Sequence, residues 1–196
     1  MRRFSSVIGL LTLLGCAFSL VVKTRAQADD SDRRFDKTFT VDVALDSDTL
    51  VVNHVDPTSQ PNDQFRGDTL VIDGSVYKAG TVPSGMSDFD PKSTKDRIGK
   101  IRCRAAVLVP LTDLTTPAAT FVTEMYSLPD DNQIILADGP GANLFATVER
   151  AVTGGTRSFS GMIGQLKEVN LGLNRSQACD LRITFKLKSP EREHDH

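Results

Sequence analysis

Between Cys179 and Lys188 apolar and polar residues alternate without a break. Cys179, Leu181, Ile183, Phe185 and Leu187 fall on one face, and Asp180, Arg182, Thr184, Lys186 and Lys188 on the other. A period of two is the mark of an extended strand with one dry face, whereas helical geometry would scatter both sets around an axis. The same period returns near the start, where Phe39, Val41, Val43 and Leu45 alternate with Thr40, Asp42 and Ala44.

Between these two strands lie further runs that read as strands: 50–54, 69–77, 98–110, 120–128, 133–137, 144–152 and 161–173. Turn chemistry separates them, at Asp56-Pro57, Pro61-Asn62, Pro83-Ser84-Gly85, Pro129-Asp130-Asp131-Asn132 and Asp138-Gly139-Pro140-Gly141. The 129–132 turn sits between two strand-like runs and predicts a hairpin. After the first 28 residues no stretch spaces its apolar residues by three and four, so the class is all-β. Pattern alone leaves a sandwich and a barrel open. A closed barrel removes exposed sheet edges, and about eight strands leave an interior able to hold side chains or one small ligand.

One corner is crowded with glycine: Thr153-Gly154-Gly155-Thr156, then Phe159, Gly161 and Gly164. A phosphate-gripping loop has a similar look but requires a helix behind it, with its N-terminus facing the anion. The run that follows here alternates as a strand. Gly154, Gly155, Thr156, Phe159 and Gly161 therefore read as a structural turn, with glycine allowing a sharp bend or a close approach of chains and Phe159 folding back as an apolar plug.

The chain opens with Arg2 and Arg3, continues apolar from Ser5 to Val22, and reaches Ala26-Gln27-Ala28 before turning acidic. This three-part pattern predicts a secretory signal peptide over residues 1–28, cleaved after Ala28, with export to a secreted or periplasmic location. The competing reading is an uncleaved anchor. Residues 29–36 read as a flexible polar arm, 37–188 as the barrel and 189–196 as a disordered charged tail. The leader carries four basic and no acidic residues, so its loss takes the formal charge from −2 to −6. A mildly acidic domain without a basic patch is not drawn to phosphate or to an anionic membrane, which argues against nucleic acid, and against a membrane once the leader is gone.

Of the three cysteines, Cys16 leaves with the leader. Cys103 and Cys179 remain as a disulfide candidate in an exported chain, or as two buried thiols. There is no CxxC pair, and His54, His194 and His196 are the only histidines, so no metal site is expected. With His54 alone outside the tail, hydrolysis by a Ser-His-acid triad is not expected either. Asn174-Arg175-Ser176 is a glycosylation sequon.

Polar residues on otherwise apolar strand faces are the candidates for chemistry. Arg150 shares its parity with Leu144, Ala146, Val148 and Val152, and Glu168 shares its parity with Met162, Gly164 and Leu166. Two readings stand. Either both point inward and pair at a cavity wall, or a bulge near the glycines reverses the parity, leaving both solvated and Val169, Leu171 and Leu173 inside. Glu124 and Tyr126 alternate with Thr123 and Met125 in a strand apolar on both faces, as a subunit contact would require. Inside a barrel the pair would supply an acid and a base; the alternative is a tyrosine that simply packs.

Several segments taken together are similar to the allene oxide cyclase-like barrels, which are related in fold to plant dirigent proteins. They are Gly67-Asp68, Ile72-Asp73-Gly74-Ser75-Val76-Tyr77, Ala79-Gly80-Thr81-Val82-Pro83-Ser84-Gly85, Ile98-Gly99-Lys100-Ile101-Arg102-Cys103-Arg104, Ala151-Val152-Thr153-Gly154-Gly155-Thr156, Phe159-Ser160-Gly161 and Cys179-Asp180-Leu181-Arg182-Ile183-Thr184-Phe185-Lys186-Leu187. The resemblance implies a closed antiparallel eight-stranded β-barrel around an apolar cavity, often assembled into homo-oligomers. It also implies a small hydrophobic ligand, an oxidised lipid or a phenolic, and no cofactor. Cyclases of this kind act as isomerases by folding a reactive lipid epoxide into a ring, and dirigent proteins steer phenoxy radical coupling, both by proximity and orientation. No catalytic carboxylate of the plant cyclases is matched in the first strands, since Asp42 falls opposite the apolar set and Asp46 and Asp48 sit in a turn. Three functions remain in view: a barrel guiding cyclisation or coupling, a non-catalytic carrier, and a structural barrel filled by its own side chains.

Overall fold

The structure is a computed structural model that describes residues 35–56, 58, 66–108, 120–128, 133–141 and 147–189. The chain divides into Met1–Asp30 and Ser31–His196, and every described residue belongs to the second unit. The signal peptide 1–28, most of the polar arm and nearly all of the charged tail lie outside the described residues, as does the turn at 129–132.

Among the described residues nine strands form: β1 (Lys37–Leu45), β2 (Val51–Asn53), β3 (Thr69–Lys78), β4 (Arg97–Val107), β5 (Thr120–Leu128), β6 (Gln133–Pro140), β7 (Thr147–Gly155), β8 (Ile163–Leu173) and β9 (Cys179–Lys188). All pair antiparallel, in the order β1-β9-β8-β7-β6-β5-β4-β3, and β1 pairs again with β3 to close the ring. The expected closed eight-stranded barrel is therefore present. The ninth strand does not widen it. After Leu45 the chain makes one 3-10 turn at Ser47–Thr49, with Asp46 accepting from the Asp48 amide (3.1 Å), and β2 then continues beside β3 at Val51↔Val71 where β1 stopped at Leu45↔Gly74. β1 and β2 are one interrupted stave.

The alternation read in the sequence becomes inside and outside. Val41, Val43, Ile183 and Leu187 join Leu166, Ile135 and Tyr126 in one buried core. Phe185 is its hub, stacked on Phe39 at 4.8 Å and meeting Tyr126 edge-on at 5.0 Å. Burying such side chains contributes about 1.5–3 kcal/mol each, before the entropy of ordering them.

The glycine corner closes one end. Near the end of β7, Gly154 pairs with Leu136 while Val152 pairs with Ala137, so Thr153 is an extra, bulged residue. A 3-10 turn at Arg157–Phe159 then carries Phe159 back into the core, 3% exposed and 5.9 Å from Phe39. Gly155 is required by close approach, since a Cβ there would lie 2.6 Å from that of Phe159 and 2.7 Å from the Ile134 carbonyl oxygen. Gly161 follows at φ +70, and the chain enters a strand, not a helix.

Two departures from the sequence reading concern the outside of the barrel. Asp138 to Pro140, expected as a turn, extends β6 up to Phe121↔Pro140. Asp42, although opposite the apolar set, is fully buried: the segment after β3 folds across the outer wall, and the Gly80 and Val82 amides donate to Asp42 Oδ2 at 2.7 and 3.1 Å. Beneath that segment Ala44, Tyr77 and Val82 form a second small apolar cluster, flanked by Phe89 and Leu171.

Candidate functional site

Four side chains from three strands meet inside the barrel, where a hydrophobic core would be expected. Glu124 and Tyr126 stand two apart on β5, which puts both on the inner face. Arg150 comes from β7 and Glu168 from β8. All are buried, at 2% exposure for Glu124, 0% for Tyr126, 4% for Arg150 and 2% for Glu168. Parity survives because the bulges fall elsewhere. The β7 slip is at Thr153, beyond Arg150, and the β8 slip is at Leu171, beyond Glu168. Of the two sequence readings, the structure holds the inward one, while Leu171 packs on the outside.

Arg150 is the centre. Its Nη1 donates to Glu124 Oε1 at 3.1 Å and also to Glu168 Oε2, Nη2 reaches Glu168 Oε1 at 3.4 Å, and Nε donates to the Pro140 carbonyl at 2.8 Å. Tyr126 donates its hydroxyl proton to Glu124 Oε2 at 2.7 Å. The extended Asp138-Gly139-Pro140 stretch now has a reason: a Cβ at Gly139 would sit 2.9 Å from Arg150 Cγ, so glycine makes room for the guanidinium arm and Pro140 supplies its carbonyl. Sequence reasoning missed both residues; the available signal was a glycine inside a strand-like run, which marks close approach.

Two carboxylates share one guanidinium away from water, so the cluster cannot hold all its charges comfortably. Burial pushes the Glu124 carboxyl up to about 7, the neighbouring Glu168 charge and a hydrogen bond to Glu168 push the same way, and Arg150 and Tyr126 oppose. Burial works against the Arg150 charge, but the two glutamates overcome it and hold it above its ordinary value. Burial, then the Glu124 charge, raise the Tyr126 phenol well above its ordinary value. A carboxyl raised that far is the group of the cluster able to hold or release a proton near neutrality.

Cys103 lies in register with Glu124 on the neighbouring strand, and burial, then the Glu124 charge, push its thiol above the ordinary range. Cys179 packs against the core at the start of β9. Both are free thiols, the second of the two readings that the sequence left open. The sequon is also accounted for: Asn174 is 1% exposed, and its amide donates to the Leu45 carbonyl at 2.8 Å and to Asp180 at 3.0 Å, so its nitrogen is engaged in the fold. Among the described residues no three His, Cys, Asp or Glu side chains converge as metal ligands would.

Inward residues on both sides of the cluster mix buried and partly buried side chains. Towards Phe159, Ile135, Phe185 and Leu187 are buried while Phe39, Leu128 and Met162 are partly so. On the other side Val107, Val122 and Asp68 are buried, while Leu70, Ile72, Cys103, Ala105, Val148 and Asn170 share the inner parity and are partly so. The polar cluster lies between these two sets.

No protein-family model matches the sequence, and no curated protein matches it significantly. Solved structures do match in fold. The pterocarpan synthase dirigent protein GePTS1 superposes with a TM-score of 0.56 at 10% identity, covering 80% of this chain and 88% of its own. A second, PsPTS1, gives 0.54 at 11% identity over 81% of this chain and 99% of its own. A pyocyanin demethylase gives 0.51 at 16% identity over 78% of this chain and 100% of its own. The class is therefore a closed antiparallel barrel of dirigent type, and the resemblance read in the sequence is shown at the level of fold.

Proposed function

We propose that this barrel binds a small hydrophobic molecule, an oxidised lipid or a phenolic, and guides its cyclisation or stereoselective coupling without a cofactor. The observation that carries this is the buried Glu124–Arg150–Glu168 cluster on the inner face of the barrel. A barrel kept only for stability gains little from such a cluster, because apolar residues of similar volume do as well or better. Glu124, protonated near neutrality, donates to a developing oxyanion on the ligand. Arg150 holds the resulting carboxylate, Glu168 holds Arg150 in place, and Tyr126 fixes the Glu124 rotamer. The half-buried wall orients the carbon skeleton, which is where most of the acceleration in such a step arises. Proteins of this fold include, by name, two pterocarpan synthases and a pyocyanin demethylase, so the fold serves small-molecule chemistry elsewhere. Export follows from the leader, and the exported chain is expected to begin at Asp29.

Native mass spectrometry of the protein as purified, followed by denaturing extraction, tests the reading. The expected result is one stoichiometric hydrophobic molecule, or saturable binding of fatty-acid or phenolic probes. With a converted substrate in hand, Glu124→Gln is expected to slow turnover about 10²–10⁴-fold, the range of a general acid, while changing binding only a few-fold. An empty protein that binds neither probe class overturns the reading in favour of a structural barrel; binding without conversion leaves a carrier, and turnover unchanged in Glu124→Gln removes Glu124 as the acid.

A further inference from the structure

A second polar pair stands on the inner parity of the barrel, far from the first. β2 pairs with β3 at Val52↔Leu70, so the next residues on the same face are His54 and Asp68. Asp68 is 0% exposed, and its backbone carbonyl accepts from the amide of Val107, itself 1% exposed on the inner face of β4. The Asp68 carboxylate accepts from His54 Nδ1 at 2.9 Å and from the Val55 amide at 2.8 Å. Gly67, at φ +98, makes the turn that points Asp68 this way, with its own amide donating to the Val107 carbonyl at 2.8 Å. A carboxylate fixed by an amide, in turn fixing one nitrogen of an imidazole, is the arrangement that sets a tautomer and leaves the other nitrogen to exchange a proton. The His54 side chain is 14% exposed, and among the described residues Nε2 has no partner. Asp68 bonds the ring directly, and the exposed Asp56 is near enough to interact with it through space.

We infer that His54, positioned by Asp68, is a proton-accepting site on the inner parity of the barrel just past β2, selecting ligands with an acidic hydroxyl such as a phenol or enol. The inference rests on the reading of the interior as a binding site and adds the substrate class. The ligand O–H bond breaks, Nε2 takes the proton, and the imidazolium is held against Asp68 while the oxyanion stays beside it. Along β4, Val107 at the Asp68 level and Cys103 at the Glu124 level are four residues apart, about 13 Å at a strand's rise. A molecule of that length touches the base at one end and the acid at the other.

The full chain is titrated with 4-nitrophenol and with 4-nitroanisole, which has the same ring but no proton to give. The wild type is expected to bind the phenol about tenfold more tightly, the increment of one charge-assisted hydrogen bond, with phenolate absorbance on the bound probe. His54→Gln removes the preference and the phenolate band but retains nitroanisole binding, and Asp68→Asn weakens the preference. Equal binding of the two probes by the wild type, or a preference that survives His54→Gln, overturns the inference while leaving the binding barrel standing. Binding of neither probe overturns both. Should His54→Gln not fold, ring nitrogen NMR of the wild type decides: one of the three histidines must become protonated on adding the phenol and not the anisole, and no change overturns the inference.

Discussion

At the scale of the residue, Arg150 separates a tolerated buried cluster from an intolerable one. It is the partner of both Glu124 and Glu168, and nothing else cationic is bonded to either among the described residues. Arg150→Met leaves two carboxyls facing each other without compensation, and a loss of about 3–5 kcal/mol is expected, as for other broken buried pairs. Replacing all three by Met, Leu and Leu is expected to recover most of it. Urea unfolding of the single and triple variants measures both; a single variant as stable as the wild type would mean that water reaches the cluster. Parity in the sequence already aligned Arg150 with Val148 and Val152, and Glu168 with Leu166. It did not show where the bulges fall, because a bulge is chosen by the register of both strands together. Asp42 shows the opposite failure. Its alternation places it outward, and the distant Gly80 and Val82 amides, together with Arg182 beside it on β9, satisfy a buried carboxylate there.

At the scale of the element, the strands were legible because each carries its own period, whereas the segment folded across the outer wall has none. Its hold on the barrel is made of backbone groups: the Gly85 amide donates to the Leu171 carbonyl at 2.5 Å, the Ser87 amide to the Leu173 carbonyl at 2.9 Å, and the Arg175 amide to the Phe89 carbonyl at 3.1 Å. No side-chain pattern announces such bonds. Gly172 is where the segment comes closest, since its φ is +139 and a Cβ there would lie 2.1 Å from the Gly85 carbonyl oxygen. Gly172→Ala must therefore push the segment off β8 as well as strain its own backbone. The expected outcome is protease cleavage near residues 80–89 under conditions where the wild type is resistant, with the barrel fragments remaining associated. Resistance equal to the wild type would show that β8, and not the segment, gives way.

At the scale of the whole molecule, two buried carboxyls set the response to pH. Burial raises Asp180 to about 6 from 3.8, against hydrogen bonds from Asn174 and Ser87, and burial raises Glu124 to about 7 from 4.5. A raised carboxyl keeps its proton in the fold after the unfolded chain has lost it. Between about pH 4 and 7 the native state binds more protons than the unfolded state, so stability falls as pH rises and levels off above the higher value. The exposed Asp36, Asp56, Asp73 and Asp90 act the other way, each lowered first by hydrogen bonds to its neighbours, but their contribution changes only below the ordinary carboxylate range. The protein is therefore expected to unfold at higher denaturant near pH 5 than at pH 8. Glu124→Gln and Asp180→Asn, which fix the neutral form, should each flatten part of that slope, and together most of it. Denaturation midpoints across this range for the three variants and the wild type provide the check. A wild-type midpoint that rises steadily from pH 5 to 8 would mean that both carboxyls are ionised in the fold. In that case Glu124 has no proton to give at neutral pH, and the acid assigned to the barrel interior would have to be sought elsewhere.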